Sequence, residues 1–148
     1  MNYEKLSGIW HGIFKYGNAY PEDHRKIVEP FTLDIKFDEC NFNGICEDRF
    51  SKTYFNSSAT VEGSFVPNLI SFIKRYPGLL TIDEEFQTVA LPDKPSLDIH
   101  YTGFYYKGIF SSKARFEGEW IITDYILNDA GQREYSNSGG VWMMSKKV

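Results

Sequence analysis

From Phe31 to Phe37 the chain alternates apolar and polar residues without exception: Phe-Thr-Leu-Asp-Ile-Lys-Phe. Side chains on an extended strand point to opposite faces in turn. Phe31, Leu33, Ile35 and Phe37 therefore share one face, and Thr32, Asp34 and Lys36 share the other. Such a segment suits an antiparallel sheet with one dry and one wet side. The same rhythm returns in Gly8 to Tyr16, 42–48, 59–66, 69–76, 98–107, 114–125 and 140–146. Turn residues separate these runs: a Ser/Lys/Thr/Asn-rich stretch, Pro67-Asn68, Pro77-Gly78, the Pro92–Pro95 loop and Asn128-Asp129-Ala130-Gly131. Segment 79–90, with Asp83-Glu84-Glu85 at its centre, fits a short helical turn, an edge strand or a loop. Aromatic residues make up 17% of the chain, which favours pleated, half-buried surface over helix.

Eight or nine strands in 148 residues, with no amphipathic helix and no internal repeat, fill one domain over residues 1–148. An open sheet of this size leaves unpaired edges, and closing it on itself removes them. The expected fold is all-β: a closed antiparallel up-and-down barrel of eight or nine strands with little or no helix. A barrel of about eight strands has an interior that is filled by side chains or holds one small ligand.

Gly8-Ile9-Trp10 in the first strand, the meander after it and the glycine-rich last strand together resemble the calycins, the superfamily of lipocalins, fatty-acid-binding proteins and avidins. The resemblance implies a closed barrel that binds a small molecule inside, with Trp10 packed across one end as a plug. Thr123-Asp124-Tyr125 is similar to a second lipocalin motif, but only one clear strand follows it here. The 16–26 segment is too short and polar for the helical pair of fatty-acid-binding proteins. An avidin-like barrel is the nearer analogy in length. The polar set with which avidins hold biotin is not recognisable, since Gly12 and Phe14 occupy the stretch after the tryptophan.

Alternation assigns inward rows. Trp10, Gly12, Phe14 and Tyr16 form one; Phe42, Gly44, Cys46 and Asp48 another; Ile70, Phe72, Lys74 and Tyr76 a third. Ile99, Tyr101, Gly103 and Tyr105 follow, then Phe116, Gly118 and Trp120, then Gly140, Trp142 and Met144. Inward glycines are expected to leave space. Lys74 and Asp48 are the only charges in these rows, and a buried charge needs a partner. The expected ligand site joins Phe14, Tyr16, Phe72, Tyr101, Tyr105 and Trp120 to a polar anchor of Asp48, Lys74 and Tyr76. Strand ends would equally let both charges reach solvent.

The net charge of −4 argues against a phosphate-tracking protein, so no nucleic-acid partner is expected. No apolar run approaches the roughly 20 residues of a membrane helix, and no basic-then-apolar leader opens the chain. The default compartment is the cytoplasm. His11, His24 and His100 form no metal-binding spacing and read as surface residues; no metal and no cofactor are expected. Cys46 reads as a small core residue and Cys40 as a turn residue. Glu117 and Glu119 point outward beside Arg115, and no nucleophile elbow or phosphate loop is present, so no catalytic residue is assigned.

The expected function is non-catalytic binding of a small apolar or aromatic molecule, with self-association into a homo-oligomer left open. Two other readings stand beside it. One is a filled barrel that binds another protein through outward aromatics such as Phe104 and Tyr106. The other is a small isomerase- or cyclase-type barrel enzyme, for which Asp48 is the one acid available.

Overall fold

The computed structural model describes residues 2–85, 87–107 and 114–147. Among the described residues, ten strands and one four-residue α-helix, with short helical turns at Tyr3–Leu6 and Ser51–Phe55, follow in order: β1 (Gly8–Tyr16), α1 (Glu22–Arg25), β2 (Val28–Asp38), β3 (Asn41–Asp48), β4 (Ala59–Val66), β5 (Leu69–Arg75), β6 (Leu79–Ile82), β7 (Thr88–Leu91), β8 (Ile99–Lys107), β9 (Ala114–Leu127) and β10 (Arg133–Lys146). Eight of them close into an antiparallel barrel in the order β1-β10-β9-β8-β5-β4-β3-β2. The seam is the β1–β10 pairing, from Trp10 opposite Lys146 to Tyr16 opposite Gly140. The up-and-down barrel expected from the alternation is present.

Sequence-adjacent strands pair all the way round, except that β5 pairs with β8. Between those two, β6 and β7 form a separate two-stranded hairpin, which is what the ambiguous 79–90 segment becomes. Its central residue 86 lies outside the described residues. The β9–β10 hairpin is longer than the apolar pattern indicates, because Ser136, Asn137 and Ser138 extend the ladder opposite Asp124, Thr123 and Ile122. Polar residues on both faces hide a strand from any test of alternation. The turn at its tip is built by Asn128, whose Oδ1 accepts the backbone N–H groups of Ala130 and Gln132, with Gly131 at φ +76°. Pro67-Asn68 closes β4–β5 with Asn68 at φ +68°, proline setting the first turn residue and asparagine tolerating the second.

Inward rows fall where alternation puts them. On β2 every second residue from Glu29 to Phe37 is buried. The inward glycines, however, do not leave empty space. A Cβ at Gly12 would stand 2.3 Å from the Phe31 ring. One at Gly103 would stand 2.7 Å from the Trp142 ring, and one at Gly140 2.8 Å from Trp120 Nε1. These glycines let large rings on neighbouring strands cross the barrel, and the rings use the room.

One end of the barrel is closed. A single 3-10 turn, Tyr3–Leu6, lies under it. Trp10 is fully buried there, and its Nε1 donates to the Leu6 carbonyl at 2.9 Å. Phe116 packs on Trp10 at 5.2 Å between ring centroids and Phe65 on Phe116 at 5.5 Å. Tyr3 stacks on Phe37, and the Lys146 ammonium donates to the Lys5 carbonyl to hold the turn in place. Burying so many rings is the main stabilising contribution at this end.

Candidate ligand cavity

At the opposite end the rows finish in Tyr16 on β1, Glu29 on β2, Asp48 on β3, Lys74 on β5, Ile99 and Tyr101 on β8, and Trp120 on β9. Three charged side chains among them are buried: Glu29, Asp48 and Lys74. Each needs a partner, and each has one. Lys74 Nζ donates to Asp48 Oδ2 at 2.5 Å, and Tyr76 Oη donates to the same oxygen at 2.6 Å. The other oxygen, Oδ1, accepts the Ser51 backbone N–H at 2.9 Å. Ser51 Oγ accepts from the Asp48 backbone N–H and donates to the Asp48 carbonyl, which pins the turn after β3 onto the carboxylate.

Burial pushes the Asp48 carboxyl up. The adjacent Lys74 ammonium, with hydrogen bonds from Lys74, Tyr76 and the Ser51 backbone, reverses this and holds it below the ordinary aspartate value. For Lys74, burial disfavours the ammonium. The groups around it, Cys46, Tyr101, Tyr76 and the Asp48 carboxylate, outweigh that, so its pKa lies well above the usual lysine range. At neutral pH both members are charged and paired. Burial pushes the neighbouring Cys46 thiol up to about 11, with Lys74 acting against it, which leaves a core thiol and not a nucleophile.

The second pair was not anticipated from sequence. Glu29 is 3% exposed, and Arg49 grips it with two bonds: Nη2 to Oε1 at 2.9 Å and Nε to Oε2 at 3.2 Å. The Arg49 guanidinium also lies 4.4 Å over the Phe50 ring. Parity could have exposed Glu29, since it shares the face of Phe31. The unbroken apolar alternation starts only at Phe31, two residues after it.

Above these charges lies a cavity of about 180 Å³. Its walls are Phe14, Tyr16, Tyr20, Tyr76, Tyr101 and Trp120, with Arg49, Phe50 and His24 nearer the rim and Leu80, Thr81 and Thr88 contributed by the β6–β7 hairpin. The rings meet edge to face: Phe14–Trp120 at 5.8 Å and 79°, Tyr16–Trp120 at 6.0 Å and 85°, Tyr16–Tyr20 at 4.9 Å and 62°. Trp120 is fixed from behind by Nε1 donating to the Lys15 carbonyl at 3.0 Å. Burial and the nearby Glu29 raise the Tyr16 phenol, and burial raises Tyr101 despite the adjacent Lys74; both stay neutral hydroxyls.

Five of the nine expected lining residues border this cavity: Phe14, Tyr16, Tyr76, Tyr101 and Trp120. The other four lie elsewhere. Lys74 sits on β5, one inward step deeper than Tyr76, and is paired with Asp48; Lys74 and Asp48 do not line the space. Phe72 is deeper again, stacked on Tyr101 at 4.7 Å. Tyr105 belongs to the closed end, against Phe65 and Phe116. Strand parity gives the face but not the height along the barrel axis, and these four share only the face.

His24 also departs from the surface role expected of it. α1 brings it to the cavity, 6.0 Å from Tyr16 and 6.5 Å from Tyr20 between ring centroids. Its Nδ1 is buried without a hydrogen-bond partner among the described residues. Tyr20 and His24 lie in and beside a connection with no periodicity, so sequence patterning had no signal for either. Among the described residues no cluster of three or more His, Cys, Asp or Glu side chains could hold a metal ion.

No family model matches the chain, and no curated protein matches it. Among solved structures it is similar to the crystal structure of rhizavidin, at 11% identity and a TM-score of 0.48, covering 93% of this chain and 84% of that one. The rhizavidin–biotin complex gives 12% identity and the same 0.48, with 96% and 93% covered. The barrel itself is established by this chain's own strand pairing. Eight antiparallel strands in meander order, closed β1 to β10, make this an up-and-down β-barrel.

Proposed function

We propose that this protein binds a small molecule, without transforming it, in the aromatic cavity at the open end of the barrel. The observation that supports this most is the contrast in filling. Ring-on-ring packing occupies the barrel from Trp10 to Trp142, whereas about 180 Å³ stays open among Tyr16, Tyr76, Tyr101 and Trp120. Apolar walls with a few placed polar groups are the usual make-up of a small-molecule site. Asp48, the one acid in the inward rows that alternation assigns, holds Lys74, Tyr76 and Ser51 and does not border the cavity, which favours binding over proton transfer.

The test is a thermal-shift and calorimetric screen of small aromatic molecules against the wild type and Ile122→Trp, which fills the cavity from its wall. Saturable binding by the wild type and at least tenfold weaker binding by the variant is the expected result. Equal binding by both would place the ligand elsewhere.

A second reading has one observation of its own. Phe104 and Tyr106 stand on the outer face of β8, 55% and 43% exposed. If they form a protein-binding face, light scattering will show a mass that rises with concentration, and Phe104→Ser will abolish the rise. A constant monomer mass removes self-association from consideration.

A further inference from the structure

The two ion pairs at the open end, one buried and one with its arginine partly exposed, bear on the charge of molecule the cavity accepts, and the following inference rests on the ligand-binding reading above. The cavity and its floor hold two cations, Arg49 and Lys74, and two carboxylates, Glu29 and Asp48, each joined to its opposite. An anionic guest would give up its hydration for cations whose charge Glu29 and Asp48 already balance. A cationic guest would find both carboxylates taken and a guanidinium in the wall. A box of aromatic rings can hold a quaternary ammonium, but not with Arg49 lining the same space.

Volume gives the second constraint. An apolar cavity of about 150 Å³ holds benzene, so the roughly 180 Å³ here suits one ring or two small fused rings. The third constraint is His24 Nδ1, a buried polar atom of a cavity-lining residue without a partner among the described residues. Buried polar atoms are nearly always satisfied, and because His24 lines the cavity an occupant is a fitting partner.

We propose that the cavity takes an uncharged aromatic molecule of one or two fused rings, seated among Tyr16, Tyr101 and Trp120, with a ring N–H or O–H that donates to His24 Nδ1. His24 is then the specificity-determining residue, and the edge-to-face rings supply contact without regard to polarity.

Four probes on one scaffold separate these contributions: indole, 1-methylindole, indole-3-carboxylate and tryptamine, titrated by calorimetry into the wild type and His24→Phe. Because α1 contains no buried residue, the variant is expected to keep the fold, and circular dichroism checks this. In the wild type indole is expected to bind at least fivefold tighter than 1-methylindole and tenfold tighter than either charged probe. In His24→Phe the preference for indole over 1-methylindole falls below twofold. A charged probe that binds as tightly as indole, or a preference that survives in His24→Phe, overturns this inference and leaves ligand binding standing. Failure of all four probes to bind the wild type overturns both.

Discussion

The two ends of the barrel are built from the same kind of residue and end up different. At the closed end Trp10, Phe65, Phe116 and Phe37 are sealed by Tyr3 and Leu6 from the N-terminal turn, and the Trp10 N–H has a backbone acceptor. At the open end Phe14, Tyr16, Tyr101 and Trp120 are as aromatic, yet a cavity remains among them. Two things separate the ends. The open end carries buried charges whose partners dictate where side chains sit, so rings cannot close over them. Its cover comes from a four-residue helix with no buried residue and from a hairpin outside the barrel sheet. Ring content alone does not fill a barrel; the cover segment and the polar floor decide.

The sharpest way to break this comparison is to remove one charge from the floor. Lys74→Met leaves Asp48 buried and unpaired, and a loss of about 3–5 kcal/mol in urea unfolding is expected. The double variant Lys74→Met/Asp48→Leu is expected to recover part of that loss, since Tyr76 and Ser51 still lose their acceptor. A single variant within about 1 kcal/mol of wild type would show that the pair is not buried as described.

Matched truncations at the two ends should then differ. Trp10→Ala empties a fully packed position and is expected to cost about 3–5 kcal/mol. Tyr20→Leu, in the wall of a space already open, is expected to stay within about 1 kcal/mol. Equal losses would mean that the open end is packed like the closed one.

The smallest effect is in acid. The Asp48 carboxyl lies lower in the folded chain than in the unfolded one. Its contribution is therefore complete above the ordinary aspartate value of about 3.9 and drains away as pH falls through the lowered folded value. Asp48→Asn, measured beside wild type from neutral to acid pH, is expected to show a stability gap that is constant near neutrality and narrows only below about pH 4. A gap unchanged down to the lowest pH would mean that Asp48 is not ionised in the fold.

Much of the barrel was legible because strand parity is a local property. Phe31, Leu33, Ile35 and Phe37 announce their face without reference to anything distant, and Lys74 and Asp48 stood out as charges in dry rows. Their pairing followed from the cost of leaving either alone. What parity cannot carry is height along the barrel. Phe72 and Tyr105 share a face with Tyr101, yet one lies under the cavity and the other at the far end. Nor can it reach residues placed by connections: Tyr20, His24 and Arg49 come to the cavity through turns whose course depends on the finished barrel. The glycines misled for a related reason, because the ring that fills the room beside Gly12 or Gly140 comes from a neighbouring strand.

A crystal pressurised with xenon tests the asymmetry most directly, because xenon enters dry apolar cavities that are truly empty. Xenon density between Trp120, Tyr16 and Tyr101, with none beside Trp10 and Phe116, is the expected result. Density at the Trp10 end, or an open end already filled by a swung-in Tyr16 or Tyr20 ring, would contradict it.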